Sequence, residues 1–539
     1  MWRDPTGGGP GAVYRAVPRS GQHLAMSCGV LATLRTAATF GIDAYPIDVE
    51  VDVSDGGLPA VTMVGLPDAS VRESRERVQT AVRNSGFEFP QRRVTVNLSP
   101  VDIRKIGGAF DLPIALGVLA ASGLLPLRHL DDILVLGELS LDGAVRSVRG
   151  TLPIAARARR DGVRSMVLPA ANATEASLVS GLTVVGVTSL RETVALLTGG
   201  QALPSHRAPQ TSGSGHTGNE IGLADLADVK GQALARRALE IAAAGGHNLL
   251  FVGPPGAGKS MLARRLPGIL PPLTPEEALE TTAIHSVAGL LPPAAGLLRV
   301  APFRAPHHTT SNVALVGGGS VPRPGEISLA HNGVLLLDET AEFARHVLNA
   351  LRQPLEEGTI RIARAAHTAV FPARFMLVAA MNPCPCGFQG DERRACRCTP
   401  QAIDRYRGRL SGPLRDRIDL GVWVPAVPFA ALTEAAPGES SARVRQRVRA
   451  ARDRQWARHG PAAASPTNAR LEGLALARHC SLDPSGVGVL DAASRRFHLS
   501  ARSCHRLLRV ARTIADLADA ERIGVEHLAE AVQFRLEAA

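Results

Sequence analysis

The chain is poor in lysine, in cysteine and in long apolar runs, and each shortage removes a class of explanation. Of its 60 basic residues only Lys105, Lys230 and Lys259 are lysine. The formal charge of +11 therefore rests on arginine; it hints at a polyanionic partner but reads equally as compositional bias. Seven cysteines in 539 residues are too few for a disulfide scaffold. Four of them fall between 384 and 398, the pattern of a reducing compartment with one local cluster. The longest apolar stretch, Leu112 to Leu127, is broken by Pro113, Gly117, Ser122, Gly123 and Pro126, short of the ~18–20 residues of a membrane span. The first 25 residues have no apolar centre and are not a signal peptide. They read as a disordered or non-native extension, with Met26 the expected start of folded sequence. A cytoplasmic protein without membrane contact is expected.

What is present is globular: 45% hydrophobic and 20% charged residues, in a length that calls for three or four domains. Ile47, Val49, Val51 and Val53 alternate with Asp48, Glu50 and Asp52, a half-buried strand. Val71, Arg75, Val78 and Val82 follow at helical spacing after a Leu66-Pro67-Asp68 turn. Strand Arg93–Leu98 precedes a Lys105–Gly108 loop and an apolar helix. Pro204 to Asn219 holds three Gly, three Ser and no aliphatic core residue, a flexible linker. Beyond it helix Gln232–Ala244, strand Asn248–Val252, a second helix Met261–Leu266 and strands Val334–Leu337 and Phe375–Ala380 give an α/β nucleotide-binding layout. From about 430 onward the text is Ala/Arg/Leu-rich with helical periodicity.

Gly253-Pro254-Pro255-Gly256-Ala257-Gly258-Lys259-Ser260 matches G-x-x-x-x-G-K-[ST] between an apolar strand and a helix. Glycines let backbone N–H groups turn inward around phosphate oxygens, and the helix start adds partial positive charge. Lys259 would reach the β/γ-phosphates of ATP and the Ser260 hydroxyl would hold Mg²⁺. Strand Val334–Leu337 ends in Asp338-Glu339. A hydrolysing ATPase needs one acid on the Mg²⁺ shell and a second to polarise water, and Asp338 and Glu339 fill those roles in order.

Asp228-Val229-Lys230-Gly231-Gln232, the GPPGAGKS loop and the VLLLDE strand resemble AAA+ ATPases of the magnesium-chelatase-like group. RAPHHTTS (304–311), GGGSVPRPGEISLAHNG (317–333), MNPCPCG (381–387), LSGPLRDRIDL (410–420) and LSARSCHRLLRVARTIADL (499–517) narrow the resemblance to the YifB/ComM family, from Met26 to the end. The resemblance implies an α/β multidomain protein. Residues 26–200 would form an N-terminal Lon-protease/RadA-like α+β domain (ribosomal S5 domain 2-like), and 201–220 the linker. Residues 221–428 would form the central AAA+ P-loop α/β domain, and 429–539 a C-terminal helical lid. Asn382 matches the sensor that orients the attacking water. Arg417 matches the arginine finger given in trans to a neighbour's ATP, although Arg415 stands where the family has an aliphatic residue. Arg502 resembles the sensor 2 arginine of the lid. A finger in trans implies a ring, a homo-hexamer. In the Lon-like loop a serine nucleophile would sit at Ala109 and its lysine base near Leu152. Neither residue can act so, and peptidase activity is not expected.

Cys384, Cys386, Cys396 and Cys398 give C-x-C, nine residues, C-x-C. Four thiolates could close a structural Zn²⁺ site; a redox pair or untied thiols are the alternatives. His285, His307 and His308 are further candidate ligands but read better as loop residues, and Cys28, Cys480 and Cys504 read as buried packing residues.

Three functions share this ATPase core. The first, implied by the resemblance, is a motor on single-stranded or branched DNA that drives branch migration. Its candidate contacts are Arg304, His307, His308 and Arg323 in loop 304–325, and Arg361 and Arg364 in a hairpin. The seven arginines of Arg443–Arg458 are weaker ones, and Lys105 is either a phosphate contact or a plain loop lysine. The second is a chelatase motor subunit, which the N-terminal domain and the CxC pairs argue against. The third is a protein-remodelling ATPase; with 4% aromatics and only Phe303 near the candidate loops, an aromatic pore grip is missing.

Overall fold

The computed structural model describes residues 31–199, 224–427, 438–460 and 467–535, apart from 55–57, 103–104, 127–129, 131, 293–294, 320 and 364–367. The expected extension at 1–25, Cys28, the linker at 201–220 and Arg364 lie outside the described residues.

The N-terminal part is a seven-stranded mixed sheet. Its order is Ala60–Val64, Arg93–Ser99, Asp43–Ser54, Ala32–Phe40, Ile133–Val135, Ser165–Pro169, Thr183–Val187. Alternation does what the period-2 pattern requires: Ile47, Val49, Val51 and Val53 are buried on one face of Asp43–Ser54. Helix Ala69–Asn84 begins where the Asp68 side chain accepts from the Val71 N–H at 2.9 Å, an N-cap, and buries Val71, Val78 and Val82. Helix Asp111–Ala121 is buried along its whole length between that sheet and helix Ala69–Asn84. The long apolar run is thus a core helix, and among the described residues no helix is long and apolar enough to cross a membrane. Its buried Asp111 is paired with Arg77 at 2.9 Å and accepts from the Leu139 N–H. That pairing answers the cost of burying a carboxylate.

The second sheet has five parallel strands, in the order Phe303–Arg304, Val334–Leu337, Met376–Met381, Leu249–Val252, Leu420–Trp423. The three central strands are continuously apolar because helices cover both faces. Parallel register puts every carboxyl end on one edge: Leu337 lies opposite Ala379, and Val252 opposite Met381. The residues that follow those strands, Gly253, Asp338 and Asn382, are therefore carried to the same rim. The expected helix Met261–Leu266 is instead two short helices, Lys259–Ala263 and Leu266–Ile269, parted at Arg264–Arg265. Pro267 has no N–H and sits in the first turn of the second helix, where none is needed.

The C-terminal part is helical, with Ser441–His459, Pro484–Phe497, Ala501–Leu517 and Val525–Gln533 as its longer members. It shares one core with the sheet. Leu249, Phe251 and Val422 belong to the same buried cluster as Val444, Val448, Leu507, Val510, Ile514 and Phe534. The Gly421 N–H also donates to the Phe534 carbonyl at 2.7 Å. Of the seven arginines on helix Ser441–His459, Arg447 pairs with Glu240 and Glu439, Arg452 donates to the Ala243 carbonyl, and Arg458 pairs with buried Asp516. These arginines stitch helices together rather than forming a surface for phosphates.

Candidate active site

The glycine loop turns as its sequence demands. A Cβ on Gly253 would lie 2.0 Å from the Val424 carbonyl oxygen, so no side chain fits there. Gly256 and Gly258 hold φ of 76° and 90°, and nothing lies within 4 Å of a Cβ built on Gly256. That leaves an open cradle in front of the backbone N–H groups. Lys259 is buried, and its Nζ donates to the carbonyls of Gly253 (2.7 Å) and Pro254 (2.9 Å) and to Asn382 Oδ1 (3.1 Å). Burial pushes its pKa down, while the nearby Asp338 and Glu339 oppose that shift. Three neutral acceptors hold an ammonium that a phosphate oxygen would stabilise better.

Ser260 Oγ donates to Asp338 Oδ2 at 2.5 Å. A hydroxyl and a carboxylate in contact beside a phosphate cradle are oxygen donors of the kind Mg²⁺ takes, so the donor set fits that ion. Glu339 follows with φ 50°, a left-handed conformation that is strained for a side chain of this size. Its N–H donates to Asp338 Oδ1 at 3.0 Å, and its carboxylate lies 3.3 Å from His308 Nδ1. His308 stacks on His307 with ring centroids 4.1 Å apart. It is thus a partner of Glu339 rather than a metal ligand beside the cysteines. Thr340 Oγ1 donates to the carbonyls of Leu337 and Ala380, fixing the two strand ends against each other.

Asn382 leads directly into the cysteine loop. Cys384, Cys386, Cys396 and Cys398 offer Sγ atoms all within 4.8 Å of one another, and among the described residues no histidine joins them. Cys480 is buried as expected, whereas Cys504 is half-buried.

Arg417 and Arg502 are brought together, but not to the phosphate loop. Both pair with Glu356 Oε1, Arg502 at 3.3 Å. They line a cleft of about 590 Å³ that none of residues 253–260 lines. Burial lowers the Arg417 pKa, and the like charges of Arg502 and Arg352 lower it further. The cleft also carries Glu357 and Asp416, but at its Arg417–Arg502 end both guanidinium groups share the single carboxylate of Glu356, so an incoming anion could displace that acid. Arg415 is exposed. Glu356 had no signal in the sequence, because its role comes only from where two distant arginines converge.

Other sequence expectations meet different fates. Lys105 is fully buried and donates to the Pro100 carbonyl, so it is not a phosphate contact. Arg304 is held by both oxygens of Glu326 at 2.6 and 2.7 Å and is spoken for. Arg323 is exposed, and Arg361 is 65% exposed beside Glu357. Ala109 and Leu152 carry no nucleophile or base, and Leu152 is fully buried.

Three family models match the chain. "Magnesium chelatase, subunit ChlI" covers 225–432, "Subunit ChlI of Mg-chelatase" covers 49–172, and "Magnesium chelatase, subunit ChlI C-terminal" covers 438–535. The chain is 47% identical to "Uncharacterized protein YifB" of Salmonella typhimurium, over 94% of this chain and 97% of that protein. It is 46% identical to "Competence protein ComM" of Haemophilus influenzae over the same shares. Its likeness to the "Magnesium-chelatase 67 kDa subunit" of Chlorobaculum parvum is 28% over 29% of this chain and 23% of that protein. With near full-length identity of this order, the chain belongs to the YifB/ComM family of magnesium-chelatase-like AAA+ ATPases.

Proposed function

We propose that this protein is an ATP-hydrolysing ring motor that translocates on single-stranded or branched DNA and drives branch migration. The observation that carries the reading is the separation of two half-sites. The phosphate cradle with Lys259, Ser260, Asp338, Glu339 and Asn382 stands on one rim, while Arg417 and Arg502 stand together in another cleft. A cation pair that cannot serve its own subunit's loop serves a neighbour's, which calls for a closed ring, a hexamer.

In this reading the Lys259 ammonium exchanges the Gly253 and Pro254 carbonyls for β/γ-phosphate oxygens. Asn382 orients the attacking water, and the Glu339 carboxylate takes its proton. Mg²⁺ would be held by Ser260 and Asp338 and would neutralise phosphate charge when bound. The neighbour's Arg417 and Arg502 leave Glu356 for the γ-phosphate as charge builds in the transition state. Residues 26–200 are the Lon/RadA-like layer without its Ser-Lys dyad, and 429–539 the lid. The four cysteines hold zinc, and the motor works in the cytoplasm.

DNA is favoured as the track because Arg323 and Arg361 remain exposed on the loop and hairpin beside the second and third core strands. A chelatase role is disfavoured because the Chlorobaculum parvum chelatase subunit aligns with less than a third of this chain, whereas the competence protein aligns with nearly all of it. The test is ATP hydrolysis with and without single-stranded, duplex and four-way-junction DNA, with Lys259→Ala as control. Stimulation by DNA that the control lacks supports the motor. Hydrolysis indifferent to every DNA form at low and physiological salt overturns it in favour of a protein client.

A further inference from the structure

The cysteine loop is an anomaly of stability. Residues 382–399 contain no helix or strand, and from 385 to 399 only Gly387 is buried. Ordering a residue costs on the order of 1–2 kcal/mol of backbone entropy, and beyond Cys384 this segment has little apolar burial to offset it. Yet the loop does exact work at the nucleotide site. Asn382 Oδ1 accepts from Lys259 at 3.1 Å. Gly387, at φ 86°, is pressed so closely on the phosphate loop that a Cβ there would lie 2.7 Å from the Pro255 ring. Arg407 braces the same turn through the Pro383 carbonyl and Gln389 Oε1.

The four sulfurs account for the order. Cys384 Sγ lies 3.4 Å from Cys386 Sγ and 3.6 Å from Cys396 Sγ, and the latter two are 3.6 Å apart. A disulfide would bring sulfurs to about 2.05 Å, so none of these pairs is bonded. Four sulfurs at about 2.3 Å from one central Zn²⁺ would form a tetrahedron with edges of about 3.8 Å, close to the spacing found. Four thiolates fill every position of such an ion and leave none for water or substrate, the arrangement of a structural site rather than a catalytic one.

We propose that Cys384, Cys386, Cys396 and Cys398 bind one Zn²⁺, and that this ion positions Asn382 and the Gly387 turn against the phosphate loop. The positioning half rests on the reading of 253–260 as the ATP site; the metal half does not. The cysteines are positioning residues: they reach the reacting phosphate only through Asn382 and Pro255.

The test uses the full chain purified without chelator. Elemental analysis is expected to give about one zinc per chain. Replacement by Co²⁺ is expected to give the intense visible bands of a tetrahedral thiolate site. Cys398→Ser should lower zinc content and cut kcat for ATP by at least about tenfold, with KM changed far less, whereas Cys398→His, which keeps a fourth ligand, should restore both. Lys259→Ala should lose hydrolysis and keep its zinc, so failure of the ATP reading and failure of the metal reading are told apart. Protein that takes up no zinc when supplied with it, that carries iron there instead, or that shows cysteine disulfides under non-reducing mass mapping, overturns the metal site. Zinc lost from Cys398→Ser with kcat unchanged overturns the positioning role.

Discussion

Two costs meet at Glu339. Its backbone is held at φ 50°, and its carboxylate is engaged by His308, from the loop that also carries His307. Strain of this kind persists only where the surroundings impose it, here the Thr340 hydroxyl pinning two strand ends. Glu339→Gln should lower ATP hydrolysis by about a hundredfold or more while the nucleotide-dependent rise in Tm is retained. The two are separable by a coupled ATPase assay and thermal shift. His308→Ala releases the carboxylate. A partly exposed charged contact of this kind is worth up to about 1 kcal/mol, so hydrolysis without DNA should rise up to about fivefold, and an unchanged or lower basal rate would refute this restraint. Neither His308 nor Glu356 could be found by reading along the chain. The phosphate loop and Asp338-Glu339 are contiguous and carry their chemistry in their spacing, whereas His308–Glu339 and Arg417–Glu356–Arg502 exist only after folding.

Among the elements, the C-terminal helices depend on charge as much as on apolar packing. Asp516 is fully buried and is reached by Arg458, by Arg512 at 3.0 Å and by Asn468 Nδ2 at 2.7 Å. Removing the one acid strands the buried Arg512 guanidinium and the half-buried Arg458 beside it, for which a loss of about 3 kcal/mol is expected. Asp516→Ala should therefore lower the midpoint of denaturant unfolding followed by tryptophan fluorescence, and an unmoved midpoint would refute the network's importance. The strands at 43–54, 93–99, 249–252 and 334–337 were legible because period and apolar runs survive translation into burial. The reading failed where charge alone was the signal. Arg304 is a phosphate contact by its type but is held by Glu326, and of the two readings open for Lys105 the plain loop lysine, held by a backbone carbonyl, is the one found. A basic residue's availability is set by which acid or carbonyl lies beside it, and one dimension does not hold that information.

For the whole molecule, the proposed division of the site between subunits makes a prediction that no single chain can satisfy. Lys259→Ala lacks a working cradle and Arg417→Ala lacks a working finger, so each alone should be inactive. Mixed one to one in a ring, about a quarter of the interfaces join an intact cradle to an intact finger. Hydrolysis should return to about that fraction of wild type. Mixtures as dead as their components would show that each chain completes its own site.

The common core of the sheet and the C-terminal helices has a mechanical meaning. Phe534 and Gly421 are hydrogen-bonded, and Leu507, Val510 and Ile514 pack in the same cluster as Leu249 and Phe251. Interiors packed at this density resist compression and transmit displacement instead of absorbing it. In the proposed ring each subunit would then behave as a stiff wedge, with the compliance at the seams between wedges. A stroke started where one chain's arginines close on the next chain's phosphate would reach the central channel as a whole-body tilt, with its amplitude set by the length of the wedge rather than by the softness of any hinge within it.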